Sequence, residues 1–139
     1  MAASNKAFTM IELLIVISII GILAGVTIAV MNPNRQKAIA EDAVKRSNLE
    51  KIAQGIEAFF NLEGSYPLED DSRPVAADVY IKMGNWPEDT VYDLDATGGD
   101  FTVCVPSSTD PVKKFFKYRS DWGELRECTV DCDGWDCTS

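Results

Sequence analysis

From Leu13 to Met31 the chain runs for 19 residues without a charged side chain. Coiled as an α-helix with a rise of 1.5 Å per residue, that run spans about 28 Å, close to the hydrocarbon thickness of a bilayer. It exceeds a typical signal-peptide apolar region, and no Ala-x-Ala cleavage site follows it. A core helix of a soluble protein would carry more polar interruptions. Here Ser18 and Thr27 are the polar side chains inside the run, and each can return a hydrogen bond to its own helix. The segment reads as a membrane helix. One carboxylate, Glu12, stands immediately before it. First-turn amides favour an anion there, and the side chain can reach toward the interface. That accounts for its tolerance, while an ionisable group at a membrane edge is a functional candidate that wants a cationic partner.

The flanking charges are Lys6 and the terminal amine on the leading side, and Arg35 and Lys37 on the trailing side. Counted literally, the positive-inside rule narrowly favours an outside N-terminus.

At 139 residues there is room for one modest domain beside this element. The formal net charge is -9 and histidine is absent, which disfavours bulk attraction to nucleic acid or anionic lipid. Without histidine, Ser-His-Asp and Cys-His catalysis, histidine metal sites and haem attachment through C-x-x-C-H are excluded. No paired carboxylates, phosphate loop or activated nucleophile stands out, so an enzyme is a distant third reading.

Four cysteines, Cys104, Cys128, Cys132 and Cys137, lie in the last quarter of the chain. Their even number beyond a membrane segment suggests two disulfides in an oxidising compartment, and the C-x3-C and C-x4-C spacings do not match a C-x2-C zinc site. Of the three connectivities, the expected one pairs Cys132 with Cys137 across a short loop and Cys104 with Cys128 between strands.

Pro33, between two asparagines, should kink or pause the helix. From Arg35 to about Leu62 the periodicity is helical again, with Leu49, Ile52, Ala53, Ile56, Phe59 and Phe60 on one stripe. That stripe should dock a sheet, with Phe116 and Tyr118 opposite. The earlier half, with Glu41, Asp42, Lys45 and Arg46 among alanines, reads as a solvated stalk. Gly64 and Pro67 end the helix. If continuous, the two helical segments would make a rod of roughly 80 Å. Residues Leu68 to Glu88 are expected to be mostly loop with a short helix at Val75 to Tyr80. Val91–Leu94 and Asp100–Val105 flank a Gly98-Gly99 turn, and two further strands flank Asp121–Gly123.

The stretch from Ala7 to Gly25, AFTMIELLIVISIIGILAG, resembles the class III signal and membrane helix of type IV pilins and pseudopilins. The match extends over roughly Lys6 to Pro67, since the following helix is also pilin-like. The resemblance implies cleavage between Ala7 and Phe8 by a prepilin peptidase, which methylates the new amine. It implies that Glu12, then fifth in the mature chain, neutralises the Phe8 amine of a neighbouring subunit during assembly. The family usually has glycine before the cut, where this chain has Ala7. Many members carry a proline late in the membrane helix, where this chain has Ala29 and Val30, its first proline being Pro33. Gly21 and Pro33 are the expected points of helix flexibility.

Two further motifs have competing readings. Asp131, Asp133 and Asp136 surround Gly134 and could offer oxygens to calcium, and some secretion pseudopilins hold calcium in C-terminal loops. The spacing does not fit a twelve-residue EF-hand loop, so an acidic turn pinned by cysteines is preferred, with no cofactor. In the stretch from Lys113 to Arg119, Lys113, Phe115, Lys117 and Arg119 would share one strand face, while Lys114, Phe116 and Tyr118 share the other. Lys117 and Arg119 are expected in water. Nucleic acid, which such basic-aromatic patches also bind, is the minor alternative as a partner, in a DNA-uptake filament.

The expected architecture is α+β, with residues 1–7 a leader, 8–34 a transmembrane and filament-core helix, 35–63 an amphipathic stalk helix and 64–139 a β-rich head. The expected function is a structural subunit that polymerises with copies of itself into a surface filament for adhesion, motility or DNA uptake. Its other partners would be the membrane before assembly, the prepilin peptidase and the pilus assembly machinery. It would sit in the inner membrane first, then in an extracellular pilus or periplasmic pseudopilus. The alternatives are a pseudopilin of a type II secretion system and a membrane-anchored binding protein that never polymerises.

Overall fold

The computed structural model describes residues 8–30, 32–70, 73–81 and 86–138. The leader 1–7 with Ala7, the end of the apolar run at Met31, and positions 71–72 and 82–85 of the expected loop lie outside the described residues. The chain divides into two compact units, Met1–Gln36 and Lys37–Ser139.

The first unit holds helix α1, Met10–Val30. Its two interior hydroxyls turn back on the helix: Ser18 Oγ donates to Leu14 O at 2.7 Å and Thr27 Oγ1 to Leu23 O at 2.6 Å. That geometry leaves no unpaired hydroxyl to meet an apolar surrounding.

Helix α2, Pro33–Glu63, begins where Asn32 Oδ1 accepts the Arg35 amide at 3.3 Å. Asn32 is a capping residue, and Pro33 is the first helical position, where a missing N–H leaves nothing unpaired. The other end closes on Gly64, which takes φ of 75° and donates its amide to Phe60 O at 2.8 Å. A side chain at that angle would be strained.

In the head, α2 lies over a four-stranded antiparallel sheet in the order β1 (Val91–Leu94), β2 (Phe101–Pro106), β3 (Phe115–Arg119) and β4 (Glu124–Cys128). Neighbouring strands are consecutive, so each connection is local, and Gly98 and Gly123 sit in the β1–β2 and β3–β4 turns. The 3-10 turn Val75–Ala77 and the short helix α3, Asp78–Ile81, sit where a short helix was expected.

The core is the meeting of the α2 stripe with the inner sheet face. Leu49, Ile52, Ala53 and Ile56 join Tyr92, Phe101, Val103, Val105 and Phe116, with Ala77 and Ile81 closing one side. Phe59 and Tyr118 pack at its margin. Phe60 departs from the expected stripe: it is 37% exposed and stacks on Tyr66 with ring centroids 4.4 Å apart. Ile81 of α3 packs directly on Gly55, where a Cβ would lie 2.8 Å from the Ile81 Cα.

The stretch expected as a solvated stalk is docked at its centre. Asp42 is buried, and its carboxylate accepts the Ser107 and Thr109 hydroxyls at 2.7 and 2.6 Å and also the Ser108 amide. Lys45 Nζ donates to Pro106 O at 2.8 Å, and Arg46 pairs with Glu127. These contacts are polar, so they leave no apolar periodicity for the sequence to display.

Candidate functional site

Thr9 and Glu12 form a reciprocal box at the start of α1. The Thr9 amide donates to Glu12 Oε2 at 3.0 Å, the Thr9 hydroxyl to the same oxygen at 3.1 Å, and the Glu12 amide to Thr9 Oγ1 at 3.3 Å. Thr-x-x-Glu ahead of an apolar run is the signature of a capping box, which satisfies two orphan helix donors. First-turn amides alone do not account for Glu12: Thr9, three residues ahead of it, is the partner, and that spacing is the signal for it in the sequence.

Phe8 lies just ahead of this box and is 83% exposed. Along α1 the apolar side chains of Ile11, Leu14, Ile17, Ile22 and Val26 are all exposed, on every side of the helix. Met10–Thr27 is long and apolar enough to cross a membrane. A helix apolar all round is stable only in lipid or among other helices. A Cβ at Gly21 would meet nothing within 4 Å, so no contact within the described chain requires glycine there.

The outer face of the head sheet gathers the cysteines and the basic strand. Cross-strand register sets Cys104 of β2 beside Lys117 of β3, and Phe115 of β3 beside Cys128 of β4. Strand β3 therefore stands between Cys104 and Cys128. With strands about 4.8 Å apart, two steps exceed the Cα separation a disulfide can bridge. The expected pairing is accordingly wrong. Cys104 is bonded to Cys132 and Cys128 to Cys137, with Cα separations of 5.5 and 4.9 Å. Strand order decides this, and spacing along the chain does not reveal it.

The expectation that Lys117 faces water is also corrected. Lys117 is 0% exposed. Its Nζ donates to Gly134 O at 2.6 Å and Asp136 O at 3.2 Å, while Arg119 Nη1 donates to Trp135 O at 2.9 Å. Burial pushes the Lys117 ammonium below its ordinary value, opposed by the charges of Asp131 and Asp136. The loop read as a calcium candidate thus has two of its backbone carbonyls directed at an ammonium. Among the described residues no group of three or more side chains of metal-ligating type is gathered, at Asp131, Asp133 and Asp136 or elsewhere.

Comparison with known proteins bears on the N-terminal segment first. Residues 3–28 match the family model described as a prokaryotic N-terminal methylation motif. The fimbrial protein of Neisseria meningitidis serogroup A / serotype 4A (strain DSM 15465 / Z2491) is 29% identical over 126 residues, which cover 91% of this chain and 70% of that protein. No solved structure matches the chain. The N-terminal segment carries the prokaryotic N-terminal methylation motif, and the chain as a whole is similar to a fimbrial protein.

Proposed function

We propose that this chain is a structural subunit that polymerises through α1 into a surface filament, after loss of residues 1–7 and methylation of the Phe8 amine. The observation that carries the reading is a predominantly apolar helix with its side chains exposed along residues 10–27, whose first turn holds one carboxylate. In the membrane that helix is solvated by lipid. In a filament its neighbours would be copies of itself, and because lipid is as apolar as leucine, close packing and polar matching must decide association. Glu12 of one copy supplies the polar match by neutralising the Phe8 amine of the next. Both belong to the assembly apparatus, and Ala7 with Phe8 forms the processing site.

The two cystines support an oxidising location for the head. This supports an N-terminus on the cytoplasmic side before assembly, opposite to the count of flanking Lys and Arg. A difference of one Lys or Arg side chain is outweighed by the need to oxidise four thiols.

The test is mass spectrometry of purified surface filaments. The expected chain begins at Phe8 with a methylated amine. Filaments containing the chain with Met1 or Ala2 intact would overturn the processing step. Filaments free of the chain, with the protein left in the membrane, would favour an anchored binding protein.

A further inference from the structure

A short stretch of chain crosses the outer face of the sheet between two covalent anchors. Cys132 is tied to β2 through Cys104, and Cys137 to β4 through Cys128. Residues 133–136 therefore pass over β3, and three successive carbonyls, those of Gly134, Trp135 and Asp136, accept from Lys117 and Arg119. The Trp135 ring lies 5.3 Å from the Arg119 guanidinium carbon. Beneath them the strip holds Phe115, which is buried, and Lys117, which has no exposed surface.

We propose that residues 133–136 are a cystine-held strap, and that a dithiol reductant opens it to uncover the basic-aromatic strip Phe115, Lys117 and Arg119. A buried ammonium gives up its hydration, and the two carbonyl contacts to Lys117 only partly replace it. The anchors tip the balance by removing the freedom of the unstrapped chain. Without them, water recovers Lys117 and the strap leaves the sheet.

The chemistry has an accessible start. Cys132 and Cys137 are partly exposed, whereas Cys104 and Cys128 are buried. A reagent thiolate attacks Cys137 Sγ, forming a mixed disulfide and expelling the Cys128 thiolate. The second reagent thiol then closes a cyclic disulfide and expels the Cys137 thiolate. Two electrons pass from the dithiol to the cystine, and both cysteine sulfurs take up protons to the extent the pH allows. Cys132–Cys104 reacts in the same way.

The experiment is lysine acylation of the full chain in detergent micelles, read by peptide mass spectrometry before and after dithiothreitol. Lys113, which is exposed, reports reagent activity. Lys45, bonded to Pro106 O, reports whether the head stays folded. In the oxidised chain Lys113 is labelled and Lys117 is not. After reduction Lys117 labels at least about tenfold faster while Lys45 is unchanged, as expected for a local opening. Three results would overturn the proposal: Lys117 labelled like Lys113 in the oxidised chain, Lys117 still protected once alkylation shows both cystines open, or Lys45 rising together with Lys117. The pair Cys128→Ser with Cys137→Ser cuts one anchor without reductant and should release Lys117 alone. Protection of Lys117 in that variant, or a parallel rise at Lys45, would also sink the strap.

Discussion

The Asp42 carboxylate on α2 accepts the Ser107 hydroxyl at 2.7 Å from 65 positions further along the chain. Burial works to raise its pKa, but hydrogen bonds from Thr109, Ser107 and the Ser108 and Thr109 amides outweigh it and hold the group below the usual carboxylate value. A depressed folded value means the ionised group stabilises the head above the unfolded carboxylate range, near pH ~4, and loses that contribution as pH falls through the folded value. Asp42→Ala should destabilise the head by about 2–3 kcal/mol at neutral pH, the scale for a buried charged acceptor. Urea unfolding of wild type and Asp42→Asn across pH tests the sign, because the gap between them should narrow in acid.

Glu12→Gln separates capping from charge. Glutamine can still accept the Thr9 amide, so the start of α1 should survive, together with cleavage and membrane insertion. If the carboxylate pairs with a neighbouring amine, filament number should fall sharply all the same. Thr9→Ala makes the complementary change, weakening the cap by about 1 kcal/mol while keeping the charge. Counting filaments by electron microscopy for both variants decides the matter, and undiminished filaments from Glu12→Gln would remove the proposed pairing.

Gly55→Ala sets two effects against each other. Alanine favours the helix by about 1 kcal/mol, but its Cβ would stand 2.6 Å from Ile81 Cγ1 and 2.8 Å from the Ile81 Cα. Because backbone is involved, α3 must move, and overpacking of this kind costs about 1–3 kcal/mol. The expected outcome is a lower melting temperature of the head, with helicity by circular dichroism unchanged.

Truncations along the α2 stripe should grade with burial. Ile56→Ala, at a fully buried position, should cost about 2–5 kcal/mol. Phe60→Ala should cost about 1 kcal/mol, the scale of its stacking on Tyr66. Thermal unfolding of residues 37–139 checks the order, and equal melting temperatures for Ile56→Ala and wild type would mean the stripe is not the core.

Local signals were legible along the chain. The uncharged run, the Gly98-Gly99 turn, the alternation around Phe116 and Tyr118 and the stripe from Leu49 to Ile56 each lie within a few turns or one hairpin. What escaped was long-range and polar. Asp42 reads as a stalk residue because its partners, Ser107 to Thr109, carry no hydrophobic period. Lys117 reads as solvated because the carbonyls that bury it belong to a loop 17 to 19 residues away. The cystine pairing depends on β3 standing between β2 and β4, a fact of strand order alone.

The same stitching of the outer face governs how the head bears load. Strand β4 is a sheet edge, held to β3 by backbone hydrogen bonds that tension could unzip one at a time. A pull applied beyond Cys137 reaches β4 through the Cys128 bond, and the chain between Cys132 and Cys137 is tethered to β2 through Cys104. Force entering from that side is shared between β4 and β2, on either side of β3. Peeling gives way to shearing, and the lifetime of the head under tension is then set by breaking several strand contacts together rather than the weakest one first.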